Sequence, residues 1–387
     1  MPMEFDLSWV LLGLPLAFVL GWAASRFDFR QVRLDNRQAP KAYFKGLNYL
    51  LNEQQDQAID AFIEAVQNDP DTSELHFALG NLFRRRGEYE RAVRVHEHLL
   101  QRADLSQDDR HRAQHALALD FLKAGLLDRA EAALLKLAGT RFEVEAQLAL
   151  LANYERSRDW ALATDIATQL ESASLGSFSH RLAHYLCEQA ATQLAQGQQP
   201  EALKLLRAAV LQAPDAARPR IELAQLLAKT GDDTLACQTL IEALQAAPGA
   251  SALMAAPLAD SAIRSHQTTA ALATLQAIYE ASPSLDVLEA IVQLSAQDPA
   301  CRCSARDWYA RHLEQQPSLV VAARWIAGEK LEHEQFHPQV QRALDQATTP
   351  LLRYRCAACG FEARQHFWHC PGCQAWDSYP CQRIEEL

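Results

Sequence analysis

The stretch KGLNYLLNEQQDQAIDAFIEAVQNDP, residues 45–70, sets a pattern that much of the chain repeats. Its small, aromatic and helix-ending positions are Gly46, Tyr49, Ala58, Phe62, Ala65 and Pro70. A period of about 34 residues later, the stretch LGNLFRRRGEYERAVRVHEHLL, residues 79–100, repeats these positions. They are occupied by Gly80, Phe83, Gly87, Ala92 and His96. A small residue lets the first helix of a pair approach the second, and proline ends the second because it has no N–H to donate. The pattern predicts packed helix pairs.

The second-helix alanine marks the further copies of this pair. It recurs at Ala130, Ala163, Ala202, Ala236 and Ala271, with a degenerate copy at Ala305. Two longer intervals contain the insertions SQDDRHR and ESASLGSFSH. Prolines stand at the terminating position of four consecutive units, at Pro214, Pro248, Pro283 and Pro317.

This period and residue pattern are typical of tetratricopeptide repeats. We therefore predict an all-α body with about eight units over 41–317 and a capping helix pair over 318–348. Such an array forms a superhelix whose concave surface holds a peptide or a folded protein, so we expect a scaffold and not an enzyme. The net charge of −11, without a basic stripe, argues against nucleic acid as a partner.

Polar residues of the repeats give limited information about a ligand. Asn81 lies where some tetratricopeptide domains hold a peptide backbone, but the cations of a carboxylate clamp for chaperone tails are not in matching positions. Three arginines, 84–86, stand at the end of a first helix. They either bind an acidic partner or are solvated at a helix C-terminus, where basic residues are favoured. The histidines are spaced like helix faces without acidic neighbours, and we expect them to be satisfied or exposed: His111, His115, His180 and His184.

The segment LSWVLLGLPLAFVLGWAA, 7–24, has no charged residue and would extend about 27 Å as a helix. Trp9 and Trp22 stand near its ends, where indoles favour the membrane interface. A cleaved signal peptide is the alternative, but Glu4 and Asp6 precede the apolar run where lysine or arginine would be expected. We predict a transmembrane anchor over 1–25.

A basic linker over 26–40 is predicted directly after the anchor. The cations that follow the span are Arg26, Arg30, Arg33, Arg37 and Lys41. Because cytoplasmic flanks are enriched in cations, the body should face the cytoplasm, with a single pass through the inner membrane.

Near the C-terminus, YRCAACGFEARQHFWHCPGCQAW, 354–376, contains two Cys-x-x-Cys pairs. Four thiolates suit zinc or a single iron, and this spacing lets a tight turn present two sulfurs to one ion. We predict a metal-binding module over 351–387 with one ion, iron or zinc. Its predicted ligands are Cys356, Cys359, Cys370 and Cys373.

Other assignments of these residues are weaker. A thioredoxin-like redox pair needs one Cys-x-x-Cys at a helix start within a βαβ unit, a pattern that is absent. His366 and His369 could replace a thiolate in principle, but four cysteines already complete a ligand set. Phe361, Phe367, Trp368 and Trp376 are the expected apolar body of the module.

The remaining cysteines do not form a second site. Cys187 and Cys237 lie in helical apolar patterns and are predicted to be buried. Cys301 and Cys303 form a weak C-x-C pattern, and Cys381 is expected to be an unpaired thiol. Without a disulfide framework, a reducing compartment is favoured.

The phrases YRCAACGF and HCPGC resemble rubredoxin, although the segment between them is shorter and Gln374 stands where rubredoxins usually have glycine. The order of anchor, repeats and four-cysteine module resembles the lipopolysaccharide assembly protein B (LapB/YciM) family of Gram-negative bacteria. The resemblance implies an inner-membrane adaptor that limits lipopolysaccharide synthesis by promoting degradation of the deacetylase LpxC by the protease FtsH. It also implies other lipopolysaccharide-assembly proteins as partners.

Two hypotheses from different classes remain. In the first, the protein is a membrane-anchored proteolysis adaptor. In the second, the module is an iron site for electron transfer or redox sensing, and the repeats position it. The expected fold is all-α, a tetratricopeptide superhelix with an N-terminal transmembrane helix and a small rubredoxin-like or zinc-ribbon-like module.

Overall fold

The computed structural model describes residues 44–68, 72–297, 303–329 and 334–387, together with Phe18, Val19 and Trp22. The chain divides into two compact units, which we call unit 1 (Met1–Ser157) and unit 2 (Arg158–Leu387). The predicted anchor and linker lie outside the described residues, except for the three named above. No helix within the described ranges combines the length and apolar character needed to cross a bilayer.

The described part of unit 1 consists of helices joined by short turns. They are α1 (44–51), α2 (Gln55–Asn68), α3 (Ser73–Arg86), α4 (Tyr89–Gln101), α5 (Gln107–Ala124), α6 (Leu127–Leu135) and α7 (Glu143–Ser157).

Unit 2 continues with helices and ends in a small module with two short strands. The helices are α8 (Trp160–Ser172), α9 (Ser179–Ala195), α10 (Gln199–Gln212), α11 (Ala217–Lys229), α12 (Asp233–Ala246), α13 (Ser251–Arg264), α14 (Thr268–Ala281), α15 (Leu285–Ser295), α16 (Ala305–Gln315), α17 (Leu319–Ala327) and α18 (His337–Thr348). The strands are β1 (Tyr354–Arg355) and β2 (Glu362–Ala363), paired antiparallel.

The glycines and alanines at the small positions of the repeat pattern form the close contacts between paired helices. A Cβ atom added to Gly46 would lie 2.8 Å from the Phe62 ring, and one added to Gly80 would lie 2.5 Å from the His96 ring. The second-helix alanines are fully buried at Ala58, Ala92, Ala130, Ala163, Ala202, Ala236 and Ala271. The prediction of packed helix pairs is therefore confirmed.

Proline ends the second helices as predicted. Helix α10 ends two residues before Pro214 and α12 two residues before Pro248, and α14 and α16 stop in the same way before Pro283 and Pro317. Each terminating proline lies outside its helix, where its missing N–H interrupts no helical hydrogen bond.

The register predicted for the degenerate copy is wrong. Ala305 is exposed at the first position of α16, whereas Trp308 is buried and packs edge-on against Tyr279. Ser304 caps this helix with its hydroxyl and forms a capping box with Asp307. This cap starts the helix three residues later than the spacing of the second-helix alanines predicts.

Within each unit, the first helices of successive pairs also contact one another. In unit 1, α3 contacts α5 and α5 contacts α7, and in unit 2 the same holds for α9, α11, α13 and α15. We call the surface formed by these helices the first-helix face of each unit. In unit 2 this face holds the C-terminal module.

Candidate metal centre

Two similar turns present the four predicted ligands. In the first, the Cys356 N–H donates to the Phe361 carbonyl and the Gly360 N–H donates to the Cys356 carbonyl, each at 2.9 Å. In the second, the Cys370 N–H donates to the Ala375 carbonyl at 2.9 Å and the Gln374 N–H donates to the Cys370 carbonyl at 2.8 Å. The two Cys-x-x-Cys segments therefore adopt the same backbone turn.

Both turns need a left-handed residue directly after their second cysteine. Gly360 has φ of 78° and Gln374 has φ of 62°. Glycine adopts this conformation without a steric cost, whereas glutamine is strained there. The departure from the rubredoxin pattern at Gln374 thus leaves the turn intact.

The turns bring the four thiols together. All four Sγ atoms lie within 4.8 Å of one another. Cys356 Sγ is 3.8 Å from Cys373 Sγ, and Cys359 Sγ is 3.7 Å from Cys370 Sγ. A tetrahedron with zinc–sulfur bonds of about 2.3 Å has edges of about 3.8 Å. The thiols therefore fit one tetrahedrally held ion.

Hydrogen bonds favour thiolate at the first cysteine. Burial raises the pKa of the Cys356 thiol. Hydrogen bonds with the Ser378 hydroxyl and the backbone N–H groups of Cys359 and Ala358 outweigh this effect and lower the pKa to about 6. The Ser378 Oγ lies 3.3 Å from the sulfur. A bound cation would also favour the thiolate form, since metal ligation requires deprotonated cysteine.

The histidines between the turns bind backbone carbonyls. His366 Nε2 lies 3.2 Å from the Tyr379 carbonyl oxygen, and His369 Nε2 lies 2.9 Å from the Gln374 carbonyl oxygen. Their rings therefore support the module's backbone, and the group that can hold an ion consists of the four thiols.

The apolar body of the module differs from the predicted one. Tyr354 and Tyr379 are buried beside Cys356 and Cys370, with Phe367 packed against them. Phe361 is exposed instead, and Trp368 packs against the core of unit 2. Tyr354 opens the quoted phrase YRCAACGF but was not predicted to be part of the apolar body, and Tyr379 lies outside both quoted phrases.

A buried polar contact joins the module to helix α9. His184 Nε2 donates to the Asp377 carboxylate, with both oxygens at 2.9 Å, and its Nδ1 accepts from Arg218 at 3.3 Å. Arg218 is itself paired with Glu188 at 2.7 Å and Glu222 at 2.6 Å. The prediction that the histidines lack acidic neighbours is therefore wrong for His184, and it is also wrong for His180, which lies 3.1 Å from Asp215.

Trp376 forms the aromatic part of the same interface. Its ring stacks on His184 with 4.7 Å between centroids and meets Tyr185 and Trp160 edge-on at 6.0 Å. His369 of the module also stacks on the Trp376 ring, with 4.3 Å between centroids. Trp376 thus links the module to helices α8 and α9.

The C-terminal residues attach the module to the last repeats. Arg383 donates to both carboxylate oxygens of Asp286, at 2.9 and 2.8 Å. The Glu386 carboxylate accepts from the Leu285 N–H at 2.6 Å, at the start of α15. Glu385 accepts from the N–H groups of Leu319 and Val320, at the start of α17. Such carboxylates satisfy helix N–H groups that lack a partner within the helix.

The other predicted residues have separate environments. Cys187 and Cys237 are fully buried, as predicted, and burial raises the pKa of both thiols. Cys381 is half-buried and packs against the core of unit 2. His180 pairs with Asp215 on the surface, and His115 stacks on Phe142. Cys301 lies outside the described residues.

Comparisons with protein families agree with both parts of the fold. Residues 354–379 match a family described as a rubredoxin metal binding domain. Residues 45–106 and 187–251 match the tetratricopeptide repeat family. Among solved structures, a tetratricopeptide repeat protein from Parabacteroides merdae has 12% identity and a TM-score of 0.36, covering 67% of this chain and 99% of its own.

Two curated relatives match almost the whole chain. Lipopolysaccharide assembly protein B of Escherichia coli K12 is 29% identical, covering 96% of this chain and 97% of its own. Lipopolysaccharide assembly protein B of Haemophilus influenzae is 26% identical, with corresponding coverages of 95% and 96%. The resemblance of this chain to the lipopolysaccharide assembly protein B family is therefore confirmed over nearly its full length.

Proposed function

We propose that this protein is a non-catalytic adaptor in lipopolysaccharide assembly. By the resemblance, it limits lipopolysaccharide synthesis by promoting degradation of the deacetylase LpxC by the protease FtsH at the inner membrane. The observation that carries the proposal is the match to the two relatives named above over 95–96% of the chain, repeats and four-cysteine module together.

In this proposal each part has a distinct task. The apolar segment 7–24 keeps the protein in the inner membrane with its body in the cytoplasm, beside the membrane protease. The repeats of unit 1 hold protein partners on their first-helix face, which is the common use of tetratricopeptide arrays, whereas that of unit 2 holds the module. The thiols of Cys356, Cys359, Cys370 and Cys373 hold one metal ion, which stabilises the small module.

The docked position of the module supports a structural use of the metal. The module contacts α9 through His184 and Tyr185, and α15 and α17 through its C-terminal residues. A module of about 35 residues cannot build a large core of its own, so an ion supplies the folding free energy that the core lacks. The folded module then adds a second connection between α9, α15 and α17, beside the direct contacts of neighbouring helices.

The experiment is the half-life of LpxC in cells that lack the endogenous adaptor. Full-length protein should shorten that half-life, and a variant without residues 1–25 should not. In a second variant, an unrelated single-span helix replaces residues 7–24. This variant tests whether membrane attachment is sufficient or whether the sequence of 7–24 itself is needed. The proposal fails if the half-life is unchanged by the full-length protein, and its tethering step fails if the truncated form acts normally.

A second candidate function is an iron site for redox sensing or electron transfer. It is favoured by the exposure of Cys359 and Cys373, which would leave the ion accessible to small oxidants and reductants. Protein purified without added metal should then contain iron with a visible absorption that dithionite bleaches reversibly. Zinc alone would exclude this function.

A further inference from the structure

A row of unpaired cations lies along the first helices of unit 1. The penultimate residue is Arg85 in α3, Lys123 in α5 and Arg156 in α7. All three side chains are exposed. They occupy the same position near the end of consecutive first helices.

The neighbouring Arg84 and Arg86 form ion pairs with carboxylates of unit 1, which distinguishes them from the three cations of the row. Arg84 pairs with the buried Asp120 at 2.8 Å, and Arg86 pairs with Asp56 and Glu88. Within the part of the chain that the structure describes, none of the three cations in the row forms an ion pair. The Arg156 guanidinium donates only to a backbone carbonyl, that of Leu122, at 2.7 Å. The row thus carries charge that the folded unit leaves unneutralised.

The helix dipole does not account for this placement. Cations near a helix C-terminus are favoured whatever the helix packs against, so the second helices should have them too. Instead, α2 and α6 have no basic residue in the last turn, and α4 has only His98. Arg102 and Lys136 follow α4 and α6 as cap residues, and Arg102 pairs with Asp104. Within the last turns of helices α2–α7, lysine and arginine therefore occur on the helices that form the first-helix face.

The spacing of the row defines the ligand that fits it. Packed helix axes lie about 8–10 Å apart, so the row presents a cation about every 10 Å. The bond from Arg156 to Leu122 confirms that the end of α7 reaches the end of α5. A polyproline II segment rises about 9.3 Å per turn of three residues, so carboxylates at every third residue would match the row.

We propose that Arg85, Lys123 and Arg156 bind an extended acidic segment of a partner protein with a carboxylate at every third residue. The inference rests on the proposed function only in taking the partner to be a protein. On a chain with a net charge of −11, a local cationic row also steers an acidic segment toward this face and away from the rest of the surface.

The test uses full-length protein in nanodiscs of zwitterionic lipid and fluorescent 12-residue peptides at low salt. One peptide repeats Glu-Pro-Ser, and a matched peptide of the same composition gathers its glutamates at one end. The spaced peptide should bind more tightly, and the triple variant Arg85→Gln, Lys123→Gln, Arg156→Gln should weaken its binding about tenfold. Thermal unfolding of the triple variant checks that the repeats stay folded.

The matched control removes three exposed cations of unit 1 that lie outside the row, through Arg94→Gln, Arg129→Gln and Lys136→Gln. This control should change peptide binding less than twofold. The proposal is overturned if both triple variants weaken binding equally, or if the two peptides bind alike. It is also overturned if the peptides do not bind and the row is instead needed for binding vesicles with 30% phosphatidylglycerol.

The outcome separates this inference from the proposed function. If the row binds the spaced peptide as expected while LpxC half-life is insensitive to the whole protein, the proposed function fails and the cationic site stands. The LpxC half-life could instead depend on the protein while the triple Gln variant of the row binds the spaced peptide as tightly as the wild type does. In that case the proposed function stands and the cationic site is overturned.

Discussion

Replacing Asp377 with alanine should loosen the module from unit 2. The carboxylate accepts from Nε2 of His184, whose side chain is only 3% exposed. Without Asp377, this N–H remains buried and unpaired, which costs about 1–3 kcal/mol. Asp377 itself is half exposed, so its charge is screened and the lower half of that range applies, about 1–2 kcal/mol.

Hydrogen exchange detected by mass spectrometry measures this loss locally. A cost of about 1–2 kcal/mol corresponds to about 5- to 30-fold faster exchange in peptides covering 366–379 and the start of α9. In a double-mutant cycle, His184→Ala and Asp377→Ala should be non-additive, because the two side chains share one contact.

Asp215→Ala is the matched control. Asp215 pairs with His180 at 3.1 Å, but both side chains are at least half exposed, so exchange should change less than twofold. If Asp377→Ala has as small an effect as Asp215→Ala, or if the cycle is additive, the contact between His184 and Asp377 does not hold the module in place.

Three further predictions concern strain, packing and pH. Gln374→Gly should raise the free energy of unfolding of the module by about 0.5–1 kcal/mol by relieving the left-handed backbone, whereas Gln374→Ala should not, as chelator-challenged thermal unfolding would show. Gly80→Ala should destabilise unit 1 by about 1–2 kcal/mol in urea, because the new Cβ would clash with the buried His96 ring, which Asp120 holds at 2.5 Å; no loss would contradict the contact. Burial lowers the pKa of His312, so below about pH 6.5 the unfolded state binds a proton that the folded state resists, and stability should fall as the pH falls. His312→Gln should therefore reduce the drop in Tm between pH 7.5 and pH 5.5, and an unchanged drop would assign it to other groups.

The repeats were predictable because the residues that define each helix pair lie close together in sequence. The alanines of the second helices recur at a nearly regular spacing, and each belongs to a short helix pair whose pattern can be read from neighbouring residues. Seven of these positions, from Ala58 to Ala271, are fully buried. The prediction was wrong only at Ala305, where the capping box of Ser304 and Asp307 shifts the helix start.

The candidate metal site was predictable for the same reason, and its docking was not. Two Cys-x-x-Cys turns can be recognised from their own residues, including the strained position at Gln374. The contact between His184 and Asp377 joins residues 193 positions apart and depends on the shapes of two folded surfaces. No spacing rule relates such residues, so the sequence placed His184 among unremarkable helix-face histidines.

The separation of internally paired from unpaired arginines also required the structure. The run 84–86 reads as one basic cluster, yet Arg84 is tied to the buried Asp120, and Arg86 to Asp56 and Glu88. Only Arg85 remains for a partner. Lys123 and Arg156 join it because α3, α5 and α7 are packed side by side.

The four thiols of the module are proposed to hold one metal ion. Native mass spectrometry of the full-length protein in detergent micelles tests this most directly. We expect one zinc or iron ion per chain, and none in the Cys356→Ser, Cys370→Ser double variant. A metal-free wild-type protein with four alkylatable thiols, or an ion retained by the double variant, would contradict it.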